Sequence, residues 1–315
     1  MASTRYITRV PDVDFSHAPE MAPYLDEPLA MYVGAPGKKG FLSLGFELDK
    51  DGKSILRHLD RRVPIVVQQE LYFDEKLPGM PCVYILSSGG QYIEGDRYQQ
   101  DISVGKDAMA FVSSGAGTKI APMRHNYAGM IQNIVLEENA YLEFLPEPTF
   151  PCAHTRYICD TRMIIHPTAT VAYAEIYMGG RKYHNNELFQ FDILSVCTHG
   201  ERPTGEQLFR EKFIISPDLC RLRDIGIMGN YDVFANVVVC TPEDTARKIY
   251  DAIEPYIDRE RHLAAGITHL PNGAGLLFKV LGVEAGPVKK SVREFCSKVR
   301  QAVKGVPIPE EFPWR

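Results

Sequence analysis

Four glutamates, Glu70, Glu143, Glu175 and Glu187, interrupt runs built from apolar residues. Glu143 stands between Leu142 and Phe144, and Glu175 between Ala174 and Ile176. Carboxylates placed this way suit two chemistries. Hard oxygens spaced along an internal path can pass a divalent cation between weak sites. Alternatively, a pair such as Glu143 and Glu175 in one cleft could act as acid and base in a β-solenoid hydrolase taking a small or sugar-like substrate. The plainer expectation is that strand alternation turns these acids to a solvated face.

Other candidate motifs fail on their own geometry. Ser113-Ser-Gly-Ala-Gly-Thr-Lys119 places Thr118 before the lysine and Ile-Ala-Pro after it, so a phosphate loop lacks its hydroxyl and its helix. Ser87-Ser-Gly-Gly90 with Gly95-Asp96 has no strand-to-helix context for a dinucleotide. Cys152-Ala-His154 with Cys159 supplies too few ligands in paired spacing for structural zinc. The sequence has no His-Glu-x-x-His pair and no Gly-x-Ser-x-Gly elbow. No enzyme signature is present.

The elements that must position the acids come from a repeat. Ile102–Val112, Ile134–Phe144 and Met163–Tyr173 each show alternating apolar positions, a polar break, a small Ala, and alternation again. The Ala positions are 108, 140 and 169. Alternation on both sides of a Gly, Asn or Pro break predicts strand–turn–strand units. Recurrence about every 30 residues predicts a mainly β chain, a β-helical or solenoid-like stack of short strands and hairpins. Asp49-Lys-Asp-Gly52 and the stretch from His199 to Gly205 are hairpin turns.

Residues 1–38 form a Pro-rich arm without its own core, laid on the surface or mobile. Residues 39–240 form the β body, and 241–315 a C-terminal α/β region packed on it. Thr241-Pro242-Glu243-Asp244 reads as the start of one helix, with Ile249, Ala252, Ile253, Tyr256 and Ile257 at helical spacing. A second helix from near Pro287 carries Val288, Val292, Phe295, Cys296, Val299 and Val303 on one face. Pro271–Gly275 is a tip between two strand pieces. The formal charge of −5 argues against nucleic acid. The lack of a long apolar run or a hydrophobic leader argues against a membrane. Seven scattered cysteines without a Cys-x-x-Cys predict buried, reduced thiols and a cytoplasmic location.

Several strings in order resemble the urease accessory protein family UreD, also called UreH. They are Gly89-Gly90 with Gly95-Asp96, Thr118-Lys119-Ile120, Ala140 to Pro148, Gly180-Arg181, Asn186 to Phe191 and Asn236 to Pro242. The resemblance covers about residues 40–300. It implies a β-helical, non-enzymatic scaffold for nickel insertion, with no tightly bound cofactor and only transient Ni2+. It also implies urease apoenzyme and UreF as partners, UreG through UreF, and allows a dimer of heterodimers with UreF. Carried over by motif, Asp96, Glu143 and Glu187 fall on the passage, and Lys119 and Arg181 hold local geometry through ion pairs. Glu70 and Glu175 join the passage set as acids in strand patterns. Asn186 stands where many relatives have Gly, and Asn tolerates the left-handed turn required there. A metal-independent binding scaffold is the third reading of the same features.

Overall fold

The computed structural model describes residues 13–25 and 37–310. Two mixed, open sheets face one another, and two C-terminal helices cover the second. The outer sheet has seven strands, in the order Gln207–Ile215, Ile193–Glu201, Arg156–Ile165, Ala128–Leu136, Arg97–Val104, Lys39–Leu48 and Ser54–Arg62. Its five middle strands are parallel and its two edges antiparallel. The central sheet has eleven strands. Cys82–Ser87, Met109–Ser114, Tyr141–Phe144 and Thr170–Met178 run parallel there, and Val233–Cys240, Gly275–Gly282 and Leu263–His269 continue it antiparallel.

The repeat is real, but its units are not hairpins. Each sends its first strand to the outer sheet and its second to the central sheet, so each strand pairs with its counterpart in the next unit. Val104 lies beside Leu136 and Leu136 beside Ile165, and across the turn Ala110 lies beside Leu142 and Leu142 beside Val171. Only a small residue fits where the chain passes from sheet to sheet, and Ala108, Ala140 and Ala169 are all buried there. Side chains one repeat apart also bond. Gln132 donates to Gln100 at 3.1 Å, Asn133 to Asp101 at 2.7 Å, and Asn139 to Asp107 at 2.8 Å. Such ladders hold parallel strands in register where twist would shear them. The repeat covers three units, extended by further parallel strands and closed off by antiparallel ones, so the sheets are mixed and open and do not form a continuous solenoid. The two turn motifs do close true hairpins, at Asp49–Gly52 and between His199 and Gly205.

Helix α1 (Glu243–Asp251) and helix α2 (Ala285–Lys304) pack on the central sheet. Val288, Val292, Phe295, Cys296 and Val299 are buried, as their spacing predicts. Two details differ from expectation. The Thr241 hydroxyl lies 2.8 Å from that of Thr170 and does not cap α1. Tyr256 and Ile257 leave the helix for a short edge strand, Tyr256–Asp258, paired with Leu263–Ala265. On the opposite side of the molecule, Phe15, Ala18 and Met21 of the arm pack against Tyr127, Ile158 and Ile193 of the outer sheet. Residues 1–12 and 26–36 of the arm lie outside the described residues. All seven cysteines are free and six are buried.

Candidate functional site

The central sheet is covered on both faces, by the outer sheet on one side and the helices on the other. Alternation along its strands therefore chooses between two interiors, and the solvated-face expectation fails for Glu143 and Glu175, which are 0% and 6% exposed. They point opposite ways. Leu142 and Phe144 face the outer sheet, so Glu143 faces the helices, whereas Glu175 shares the inter-sheet side with Tyr173 and Tyr177. Carboxyls on opposite faces of one sheet cannot share a cleft, which removes the acid–base pair a glycosidase needs.

Between the sheets lies a cavity of about 390 Å³. Its walls include Met130, Phe144 and Tyr157, and its rim carries the exposed Ser87, Gly90, Gln91 and Lys119. A polar seam crosses this apolar interior. Gln132 donates to Gln100 at 3.1 Å and accepts from the Thr161 hydroxyl at 2.9 Å. The Tyr173 hydroxyl lies 2.9 Å from the same Gln132 oxygen and 3.0 Å from Oε1 of Glu175. Tyr177 and Thr198 complete the surroundings of the carboxyl at 3.3 and 3.4 Å. Burial raises Glu175 to about 7, because the hydroxyls that favour the anion do not offset its desolvation. Glu175 is thus a carboxyl that changes charge near neutrality.

The other predicted residues fall into three places. Asp96 is buried just before the strand Arg97–Val104, accepting from the Tyr98 hydroxyl at 2.6 Å and the backbone N–H groups of Ile93 and Lys38. Burial raises its pKa despite those donors. The Tyr98 ring stands edge-on to Tyr92, a cavity residue, at 4.6 Å. Lys119, Arg181 and Glu187 come together around Cys152, where the return loops gather. Arg181 grips Glu187 with two bonds of 2.8 and 2.6 Å, and Ala153 N–H adds a third at 3.2 Å. The guanidinium holds Glu187 below the usual carboxylate range. Asn186 takes the left-handed conformation, with φ 53°, so the turn survives without glycine. Glu70 is half-buried in the segment before Leu71 and does not line the cavity.

Glu143 lies in a different constellation. Both its oxygens take bonds from Arg300 of α2, at 2.7 and 2.6 Å, and the Tyr141 hydroxyl adds another. Arg300 also bonds Asp74, and all three charged side chains are fully buried. The sequence signal for this cluster was available. Arg300 follows Val292 and Cys296 at intervals of four, so it interrupts the apolar stripe of α2. The polar seam had no comparable signal, because Gln100 and Gln132 sit in ordinary alternating strands.

A family model described as UreD urease accessory protein matches residues 38–315. This chain belongs to the UreD family. A urease accessory protein UreD of Yersinia enterocolitica is 43% identical over 306 residues, covering 95% of this chain and 93% of the relative. One from Yersinia pseudotuberculosis is 42% identical over 300 residues, with the same coverage. Urease accessory protein UreD 2 of Brucella suis is 42% identical over 298 residues, covering 94% and 98%. UreD proteins are accessory to urease and are not named for a catalytic activity. No helix among the described residues is long and apolar enough to cross a membrane.

The hairpin that carries Arg181 and Glu187 depends on Gly180. Its φ is 140°, and a Cβ there would stand 1.8 Å from the Glu187 carbonyl oxygen. Gly180→Ala is expected to open the Gly180–Arg181/Glu187–Leu188 pairing and cost about 1–3 kcal/mol. Hydrogen exchange should then show loss of protection over residues 181–188; unchanged protection would contradict the assignment.

Proposed function

We propose that this chain serves urease maturation as a non-enzymatic scaffold that conducts Ni2+ through the cavity between its sheets. In this reading it meets urease apoenzyme on one side and UreF on the other, with UreG recruited through UreF. The observation that carries the reading is Glu175 at one end of the amide and hydroxyl seam. A body built only for rigidity would fill that volume with aliphatic side chains, since burying polar groups without gain costs free energy. The seam offers oxygens and the cavity has room for water, which a hydrated cation needs. A carboxyl near neutrality exchanges its proton for a cation and takes it back, which suits passage better than storage.

The remaining acids take supporting parts. Asp96 fixes the cavity wall through Tyr98, and Arg181 holds Glu187 at the return loops beside Lys119. Glu143 is committed to Arg300 and is assigned to anchoring α2 in place of the passage. No resident cofactor is part of the scheme.

Glu175→Gln tests it, because the substitution keeps shape and hydrogen bonding while removing the charge. Co-expressed with urease and the other accessory proteins, the variant is expected to lower nickel per urease active site several-fold. Affinity capture of UreF and urease should be unchanged. Normal nickel content would remove the passage, and failure of the unaltered chain to capture either protein would remove the bridging role.

A further inference from the structure

We propose that the exposed side of the outer sheet, away from the cavity, binds one divalent transition-metal ion of borderline softness, of the Zn2+ or Ni2+ class. Its ligands are Asp160, Cys197 and His199, and His17 of the arm completes the set. Asp160 and Cys197 are direct neighbours on parallel strands, and His199 follows Cys197 by two residues on the same face. One ligand atom from each of the three lies within 4.8 Å of the other two. His17 reaches in from the arm, its Nε2 3.7 Å from Oδ2 of Asp160. This site does not rest on the passage reading.

Asp160 and His199 lie at ion-pair distance without a well-formed hydrogen bond between them. Nδ1 of His199 is 3.2 Å from Oδ1 of Asp160, yet both atoms are buried and neither has a hydrogen bond of acceptable angle. Two nitrogen and oxygen ligands of a tetrahedral zinc ion, each about 2.0 Å from it, stand about 3.3 Å apart. The observed spacing therefore matches an edge of such a site. One thiolate, two imidazoles and one carboxylate form a four-ligand set that this class of ion prefers over Mg2+ or Ca2+. Among the described residues, neither lysine nor arginine hydrogen-bonds to these ligands. Lys212, opposite Cys197, turns to Glu20 at 2.7 Å, and Arg210, opposite His199, is exposed. With His17 bound, the ion would pin the arm across the sheet where Phe15 and Met21 already pack.

The test is a titration of the full, reduced and metal-free chain with Co2+. One equivalent is expected to bind, giving a near-ultraviolet thiolate-to-metal band that Zn2+ bleaches. Cys197→Ser should abolish that band. His199→Gln and His17→Gln should each lose at least the roughly tenfold in affinity that even a supporting partner is worth. Asp160→Asn with His199→Gln keeps all seven cysteines and should also lose the band, which covers the case in which Cys197→Ser does not fold. Absence of a thiolate band in the unaltered chain would overturn the site. So would its survival in Cys197→Ser or in the Asp160→Asn/His199→Gln variant, since another cysteine would then be the ligand.

Discussion

Arg300→Ala is expected to destabilise the chain by about 3–5 kcal/mol, the range for removing one partner of a buried ion cluster. The magnitude follows from what is left behind. Glu143 would lose both bonds and Asp74 the one to its Oδ2, at sites with no access to water. Asp74 keeps two backbone N–H donors, from Lys76 and Leu77, so the larger share falls on Glu143. Because Arg300 is the fully buried ionic tie between α2 and the central sheet, detachment of that helix is the expected first step of unfolding. At this chain length the thermal midpoint should fall by roughly 5–8 °C. Glu143→Leu with Arg300→Met and Asp74→Asn removes all three charges together and should recover most of the loss, as apolar or neutral replacement of buried ion clusters commonly does. A loss below about 1 kcal/mol in Arg300→Ala would show that the cluster does not anchor α2.

Legibility in the sequence followed the strength of local constraint. The repeat was plain because its register demands the same residue types at each sheet-to-sheet crossing, and Ala108, Ala140 and Ala169 stack there. The partners of its strands were not plain. Alternation on both sides of a turn is satisfied equally by a hairpin and by a crossing between two sheets, and only long-range pairing separates them. The orientation of the acids failed for a related reason. Period-two alternation says that Glu143 and Glu175 lie on particular faces, but not that both faces are covered. The Arg181–Glu187 pair is local, since the two are only six residues apart. Glu143 and Arg300 are separated by 157 residues, and no local pattern couples them. The outer-face cluster was hidden likewise, with Asp160 and His199 on different strands and His17 on the arm.

Glu175→Gln is expected to stabilise the chain above neutral pH, the reverse of what a damaged core would do. The folded carboxyl titrates at about 7, against an ordinary value of 4.5. Between those values the native state holds a proton that the unfolded state has released, so stability falls as pH rises through that window. The full effect is present below about 4.5 and lost once pH has passed 7. A difference of about 2.5 units corresponds to about 3 kcal/mol. The glutamine variant has no such loss, so at pH 8 it should exceed the unaltered chain by about 3 kcal/mol, or roughly 4–5 °C in midpoint, and at pH 4.5 the two should converge. Denaturant unfolding at both pH values checks the sign, and a gap independent of pH would show that Glu175 does not titrate as its surroundings dictate. The pairing with nickel delivery gives the variant its use. A protein that is more stable at pH 8 yet delivers less Ni2+ cannot owe its defect to misfolding. The stability forgone by keeping a carboxyl in that interior is then the cost of having a cation ligand inside the cavity.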